Sequence, residues 1–393
     1  MARNKSICFI TNAYPDFESP LYGIFIEQMA LLLKESGYQI SVVTPKVYQK
    51  SHYVEEQKGI RVHRFPFFSE NRRLIEYKKI PYLRMFFYYL TGFFLTIYVV
   101  LKHQCHLIHA HWAIPAGLIG VLVGSLLKTP LVVTIHGSDF RIGTTKVFVL
   151  KRILLYVCKK ANHIICVSEV FKRGIEKLGI RGEKISVFPM GVNEAFLRSL
   201  INQKVDRIGE HFTILSNRLL LPIYNVSLLI RAIPEVLKEE PNAKFIIAGD
   251  GSEREKLEKQ VNSLNINSSV QFLGWVMHEE MAKLLSQTDI YVSTSLGDGT
   301  SVSLLEAMAS GAFPIVTDIP ANREWISDGE NGFLVPVDQE KSLAEKIVGA
   351  IRNQNLRERS RDKNLCLIND KALWRVTIAK TKEIYKMALD SKS

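Results

Sequence analysis

The stretch richest in chemistry runs from Ser293 to Asp318, STSLGDGTSVSLLEAMASGAFPIVTD, where an apolar run ends in a turn of Gly, Ser and Thr that opens into a helix. Such a turn aims backbone N–H groups and the positive end of the helix dipole at whatever lies above it, and phosphate is the natural guest. Asp298 stands on the turn and Glu306 on the helix that follows, so both can face one ligand bound at the helix start. A carboxylate is a poor partner for phosphate and a good acceptor for hydroxyls. A phosphorylated sugar or ribose therefore suits the pair best.

Other candidates are weaker when taken alone. HAHWAIPAG puts His109 and His111 on one face near the carboxyl end of a strand, and TIHGSDF ends a strand at His136 and carries Asp139 onto the next loop. Three histidines at strand ends raise the question of a metal. An H-x-H pair followed by a long gap is not a zinc spacing, and no clustered Asp or Cys completes a ligand set, so no metal is expected. FIIAGDGSEREKL offers Gly249 and Gly251 as a fragment of a dinucleotide fingerprint whose third glycine is missing, which argues against a nicotinamide enzyme. The five cysteines are scattered, with no C-x-x-C pair, and a reducing cytoplasm is their simplest home.

The elements that must position these residues follow from periodicity. Short apolar runs ending in polar or glycine residues alternate with helix-length amphipathic stretches, the pattern of parallel sheets covered by helices. Strands are predicted over 6–11, 39–44, 60–65, 106–111, 131–136, 163–168 and 184–188. After a polar pause at about 191–211 a second series runs over 212–216, 244–249, 270–273, 290–293 and 313–317. With 393 residues, the chain reads as two tandem doubly wound α/β domains, expected to face each other across a cleft. In such sheets ligands bind beyond the carboxyl ends of the strands.

The formal net charge is +12, and all of the excess lies in the first half: residues 1–200 hold 27 Lys and Arg against 13 Asp and Glu, and the rest hold 24 against 26. Such asymmetry points to a polyanion, either nucleic acid or an anionic membrane surface. Met85–Leu101 is an uncharged, mostly apolar run, preceded by Arg72, Arg73, Lys78, Lys79 and Arg84 interleaved with Tyr77, Tyr82, Phe86 and Phe87. A strand follows at once, which favours a buried or interfacial helix over a membrane span. Basic and aromatic residues together suit contact with an anionic leaflet. The apolar residues 7–10 are too few for a signal peptide and read as the first strand.

The Ser293–Asp318 stretch, together with the rest of the chain, resembles the retaining glycosyltransferases of group 1 (family 4), whose two Rossmann-like domains form the GT-B fold. That family's E-G-F-G-x-x-x-x-E-A-M-A-x-G is matched here by Asp298, Gly299, Thr300, Ser301, Glu306, Ala307, Met308, Ala309 and Gly311. The resemblance implies that Glu306 takes the nucleotide ribose hydroxyls, that Asp298 takes hydroxyls of the donor sugar, and that the Gly299–Ser301 backbone meets the sugar and diphosphate. Asp298 stands where the family has Glu, one methylene shorter. SNRLLLPIYNVSLLIRA resembles the R-L-x-P-x-K-G segment, with Arg218 at the diphosphate arginine and Tyr224 and Asn225 where Lys-Gly is usual. One diphosphate-neutralising cation is thus replaced.

The resemblance further implies a glycine backbone at Gly23 approaching the donor phosphate, His111 and His136 beside the donor sugar, and the Val276 backbone beside the nucleobase. It assigns residues 1–195 to the acceptor, 196–375 to the nucleotide sugar, and a helix at about 376–393 that packs back on the first domain. The implied reaction moves a sugar from a nucleoside diphosphate to a hydroxyl of a lipid-linked acceptor or growing cell-surface glycan, without metal or cofactor, by a cytoplasmic enzyme peripheral to the membrane. His111, Arg218 and Asp298 are its catalytic candidates. A nucleotide-sugar epimerase of the same fold and a non-catalytic polyanion-binding protein are the alternatives, although nucleic acid is not an expected partner.

Overall fold

A computed structural model of the chain describes residues 5–20, 22–77, 81–144, 148–197 and 211–390; Lys78, Lys79 and 391–393 lie outside this set, as does most of the polar pause. The chain divides into two compact units, Met1–Phe188 with Thr377–Ser393, and Pro189–Val376. Residues 189–195, assigned from sequence to the first domain, sit in the second unit. Val192 donates to the Ala372 carbonyl at 2.7 Å and accepts from Trp374 N–H at 3.1 Å, and Phe196 is buried in that unit's core.

The first unit is built on an eight-stranded sheet: β1 (Ser6–Ile10), β2 (Gln39–Lys46), β3 (Val54–Gln57), β4 (Ile60–Pro66), β5 (Leu107–His111), β6 (Leu131–Ile135), β7 (His163–Cys166) and β8 (Ile185–Val187). Their spatial order is β3-β4-β2-β1-β5-β6-β7-β8, parallel except for β3. The pattern did not announce β3, because Val-Glu-Glu-Gln is a polar edge strand. It pairs antiparallel with β4 through a tight turn at Lys58 and Gly59, both with positive φ. Apolar runs such as Ile7–Ile10 are buried throughout because helices cover both faces of the sheet.

The apolar run becomes a helix, Tyr82–Lys102, of 21 residues. One side is buried, with Tyr88, Gly92, Thr96 and Val99 facing inward. A Cβ on Gly92 would come within 2.8 Å of Ile119, so this glycine lets the helix lie close against the helix Leu118–Leu127. The other side exposes Leu83, Phe86, Leu90, Phe94, Tyr98 and Leu101, a stripe at helical spacing. The helix is long and apolar enough to cross a membrane, but only part of its apolar length is buried in the unit.

The second unit holds β9 (Thr213–Ser216), β10 (Lys244–Ala248), β11 (Val270–Gly274), β12 (Ile290–Ser293), β13 (Phe313–Thr317) and β14 (Phe333–Val335), all parallel, in the order β11-β10-β9-β12-β13-β14. Ile214 of β9 packs into one core and Leu215 into the other, on opposite faces of the sheet. Three-residue β14 was too short to show a period in sequence. The strand order reverses between β9 and β12, which opens a crevice at their carboxyl ends. In the first unit the same reversal falls between β1 and β5.

Candidate functional site

Arg218 lies just past β9, and the Ser293–Ser301 turn lies just past β12, so the reversal in strand order brings the two segments side by side. The segments are stitched together by hydrogen bonds. Thr294 Oγ1 donates to the Asn225 carbonyl at 2.8 Å, and Leu296 N–H donates to the Ile223 carbonyl at 2.9 Å. Glycines bring a third segment in close. A Cβ on Gly249 would stand 3.0 Å from the Arg218 carbonyl carbon, and one on Gly251 would stand 2.7 Å from that of Leu220. Leu220 N–H meanwhile bonds the Asp250 carbonyl at 3.0 Å. These glycines therefore serve close backbone approach at Arg218, a reason their fingerprint-like spacing did not reveal.

Arg218 is buried and held from three sides. Nη2 pairs with Asp298 Oδ2 at 2.5 Å, Nη1 donates to Ser301 Oγ at 2.6 Å, and the Tyr224 ring lies 4.2 Å from the guanidinium carbon. Burial works to depress its pKa, but the Asp298 carboxylate together with Tyr291 and Tyr224 more than offsets this and the guanidinium stays charged. The two residues expected to touch different parts of a donor are thus each other's partners. Tyr224 offers its ring face to the cation at the position where a second cation was expected.

Ser301 caps the helix Val302–Ala309 by accepting from Leu304 N–H at 3.3 Å, and Gly299 N–H turns onto Asp298 Oδ1 at 2.8 Å. Gly299 is buried and Thr300 half-buried. Glu306, one turn into this helix, is buried, and burial drives its carboxyl up to about 8 against the lowering influence of Arg218. Its Oε1 lies 3.8 Å from Nδ1 of His278, a residue the sequence reading did not single out. Val276 is half-buried between β11 and the helix His278–Ser286. In this unit Arg218, Asp298, Ser301 and Glu306 form one cluster at the start of a helix, with cationic, hydroxyl-accepting and N–H-donating groups available to a phosphorylated ligand.

In the first unit Gly23 takes φ +83° at the start of the helix Ile24–Glu35, and a Cβ there would stand 2.5 Å from the Ala13 carbonyl carbon. His109, His111 and His136 come together at the β5 and β6 strand ends. Both His109 nitrogens are occupied, Nδ1 by Tyr385 Oη at 2.6 Å and Nε2 by Thr134 Oγ1 at 2.7 Å. His111 Nδ1 meets His136 Nε2 at 3.2 Å, while His111 Nε2 is buried without a hydrogen-bond partner. Burial pushes His109 and His136 down to about 3 and His111 well below its ordinary value, so all three are neutral at pH 7. Asp139 receives the N–H groups of Ala113 at 2.7 Å and Gly137 at 2.9 Å, and so fixes the loops that follow β5 and β6. Among the described residues no group of three or more His, Cys, Asp or Glu is placed to hold a metal.

Comparison with known proteins places the chain among glycosyltransferases. A Glycosyltransferase Family 4 model matches residues 23–196, and a Glycosyl transferases group 1 model matches residues 198–364. The chain is 25% identical to an uncharacterized glycosyltransferase of Methanocaldococcus jannaschii over 96% of its own length and 98% of the relative's. It is 26% identical to the alpha-monoglucosyldiacylglycerol synthase of Streptococcus pneumoniae, over 77% of this chain and 69% of that one. It is 32% identical to a phosphatidyl-myo-inositol mannosyltransferase of Mycobacterium leprae, over 58% and 60% respectively. In fold it matches sucrose-phosphate synthase from Thermosynechococcus elongatus, with a TM-score of 0.78 at 16% identity over 98% of this chain and all of that one. It also matches Anabaena HepE crystallised with UDP, with a TM-score of 0.76 at 17% identity over 97% and 99%.

Proposed function

This chain belongs to the group 1 (family 4) glycosyltransferases with the two-domain GT-B fold, and from that membership we propose that it transfers a sugar from a nucleoside diphosphate to a hydroxyl of a lipid-linked acceptor or growing glycan, with retention at the anomeric carbon. The observation that carries the donor half of this reading is the cluster of Arg218, Asp298, Ser301 and Glu306 at the strand-order reversal of the second unit. Glu306 takes the ribose hydroxyls, Asp298 takes those of the donor sugar, and the Gly299–Ser301 backbone meets the diphosphate. Val276 lies beside the base. Negative charge grows on the leaving diphosphate as the bond to the anomeric carbon lengthens, and Arg218 with the N-terminus of the Val302–Ala309 helix stabilises it without reorganising.

His111, neutral and with an unused Nε2, contacts the reacting sugar, and His136 Nε2 meets its other nitrogen, Nδ1. The exposed stripe of the Tyr82–Lys102 helix rests on an anionic leaflet, supported by the basic balance of the first half and by the lipids named in two of the relatives. The decisive experiment is a thermal-shift screen with UDP, GDP and ADP, because a ligand that prefers the folded state raises the midpoint. One of the three should do so. Incubation of the matching nucleotide sugars with membrane lipids should then yield a product whose anomeric proton coupling shows retention. No response to any nucleotide, with salt-sensitive binding to arbitrary DNA, would support a polyanion-binding protein instead.

A further inference from the structure

The Glu306 carboxyl is set among apolar neighbours of the Val302–Ala309 helix, yet it must be ionised to receive two hydroxyls well. The nearest group able to take its proton is the His278 imidazole, with Nδ1 3.8 Å from Oε1. That ring is positioned from behind by Phe196, edge-on with centroids 4.9 Å apart, and its outer side is open to solvent. Resting on the donor-site reading given above, we propose that His278 is a positioning residue of the nucleotide site: when a ribose diol binds, the Glu306 proton passes to His278 Nδ1. The carboxylate and imidazolium then form together, and no proton leaves the protein.

The charges around the pair fit this exchange. Glu306 without ligand is held largely protonated by burial, its carboxyl standing at about 8, and Arg218 opposes this as a nearby cation. His278 is held neutral by burial, with Glu279 of its own helix opposing that effect and Glu280 beside it. Hydroxyls donated to Glu306 favour its ionised form. The new carboxylate and the ligand's phosphates both favour imidazolium. One group loses the proton that the other gains, so the count is unchanged.

The test is isothermal titration of UDP, GDP and ADP into the full chain at pH 7, in buffers of different ionisation enthalpy, for wild type and His278→Gln. Wild type should bind its nucleotide with close to zero proton release at pH 7 and an affinity that does not rise between pH 7 and 8. In His278→Gln the proton must go to solvent, so binding should release close to one proton and weaken about tenfold at pH 7, with the loss disappearing above pH 9. The imidazole is partly exposed, so the variant should fold, and the double variant with Glu306→Gln serves as a second check because His278→Gln should then change neither proton count nor pH slope. Equal proton release and equal pH slopes in wild type and His278→Gln would overturn this inference alone. Binding of none of the three nucleotides would overturn the donor-site reading and this inference with it.

Discussion

Both terminal nitrogens of Arg218 are engaged before any donor arrives, while its Nε is buried without a hydrogen-bond partner, and this bears on what its removal does. On its proposed role Arg218→Ala should lower turnover at saturating donor at least about tenfold, as losses of comparable electrostatic groups do. It should also lower the melting temperature, because Asp298 loses its partner at 2.5 Å. Turnover within tenfold of wild type in a folded variant would remove Arg218 from the chemistry. Tyr224 gives a second prediction. A lysine there would stand against the guanidinium that the ring now faces at 4.2 Å. Tyr224→Lys should therefore lose the cation–π contribution of about 0.5–2 kcal/mol in the free protein. It should still gain a larger thermal shift with nucleoside diphosphate, since a dianion can hold both cations. An unchanged shift would show that the tyrosine already suffices. At this scale the sequence was informative where chemistry imposes a motif: Asp298 and Glu306 stand at one helix start as their spacing suggested, and Arg218, which only the family resemblance had pointed to, pairs with Asp298. It was silent on His278, whose importance comes from a through-space approach to Glu306 that no local pattern encodes.

Elements explain why those side chains meet. Strand and helix periods disclosed most of both sheets, because buried parallel strands are continuous apolar runs. What escaped was structure lacking that signal, such as the polar edge strand β3 and the short β14. Gly251 was legible as a residue but not as a cause: it lets its loop lie on the Leu220 backbone, next to Arg218. Gly251→Ala should displace that segment and weaken nucleotide binding several-fold while also lowering the melting temperature. A melting temperature that falls with affinity intact would assign the glycine to stability only.

The strand ends of β5 and β6 add a pH prediction. His109 and His136, lowered by burial to about 3, contribute stability that is present above pH 6.5 and lost as pH falls toward 3, by up to about 1.4 kcal/mol per histidine per pH unit. Asp139, raised by burial to about 6, acts in the opposite sense between pH 6 and 3.8. His109→Gln should unfold less steeply with acid than wild type in thermal scans at pH 7, 6 and 5. Parallel slopes would mean that His109 is not a source of the acid sensitivity.

For the whole molecule, the exposed stripe of the Tyr82–Lys102 helix predicts co-sedimentation with anionic liposomes at low salt. Phe86→Ser with Phe94→Ser should sharply reduce it without changing the melting temperature, since both rings are more than half exposed. Binding that survives the double change would place the membrane contact elsewhere. The chain's path has another consequence. The last helix, Trp374–Asp390, begins in the second unit, yet from Thr377 onward it belongs to the first, where Tyr385 bonds His109 and packs edge-on against Tyr38. On the ribosome, the sheet of the first unit must therefore wait, with a buried histidine lacking its hydroxyl and a tyrosine its neighbour, until the whole of the second unit and Tyr385 after it have been made. The unit begun earlier is closed by a segment made after the other, and chaperone dependence and damage from truncation before Tyr385 should concentrate there.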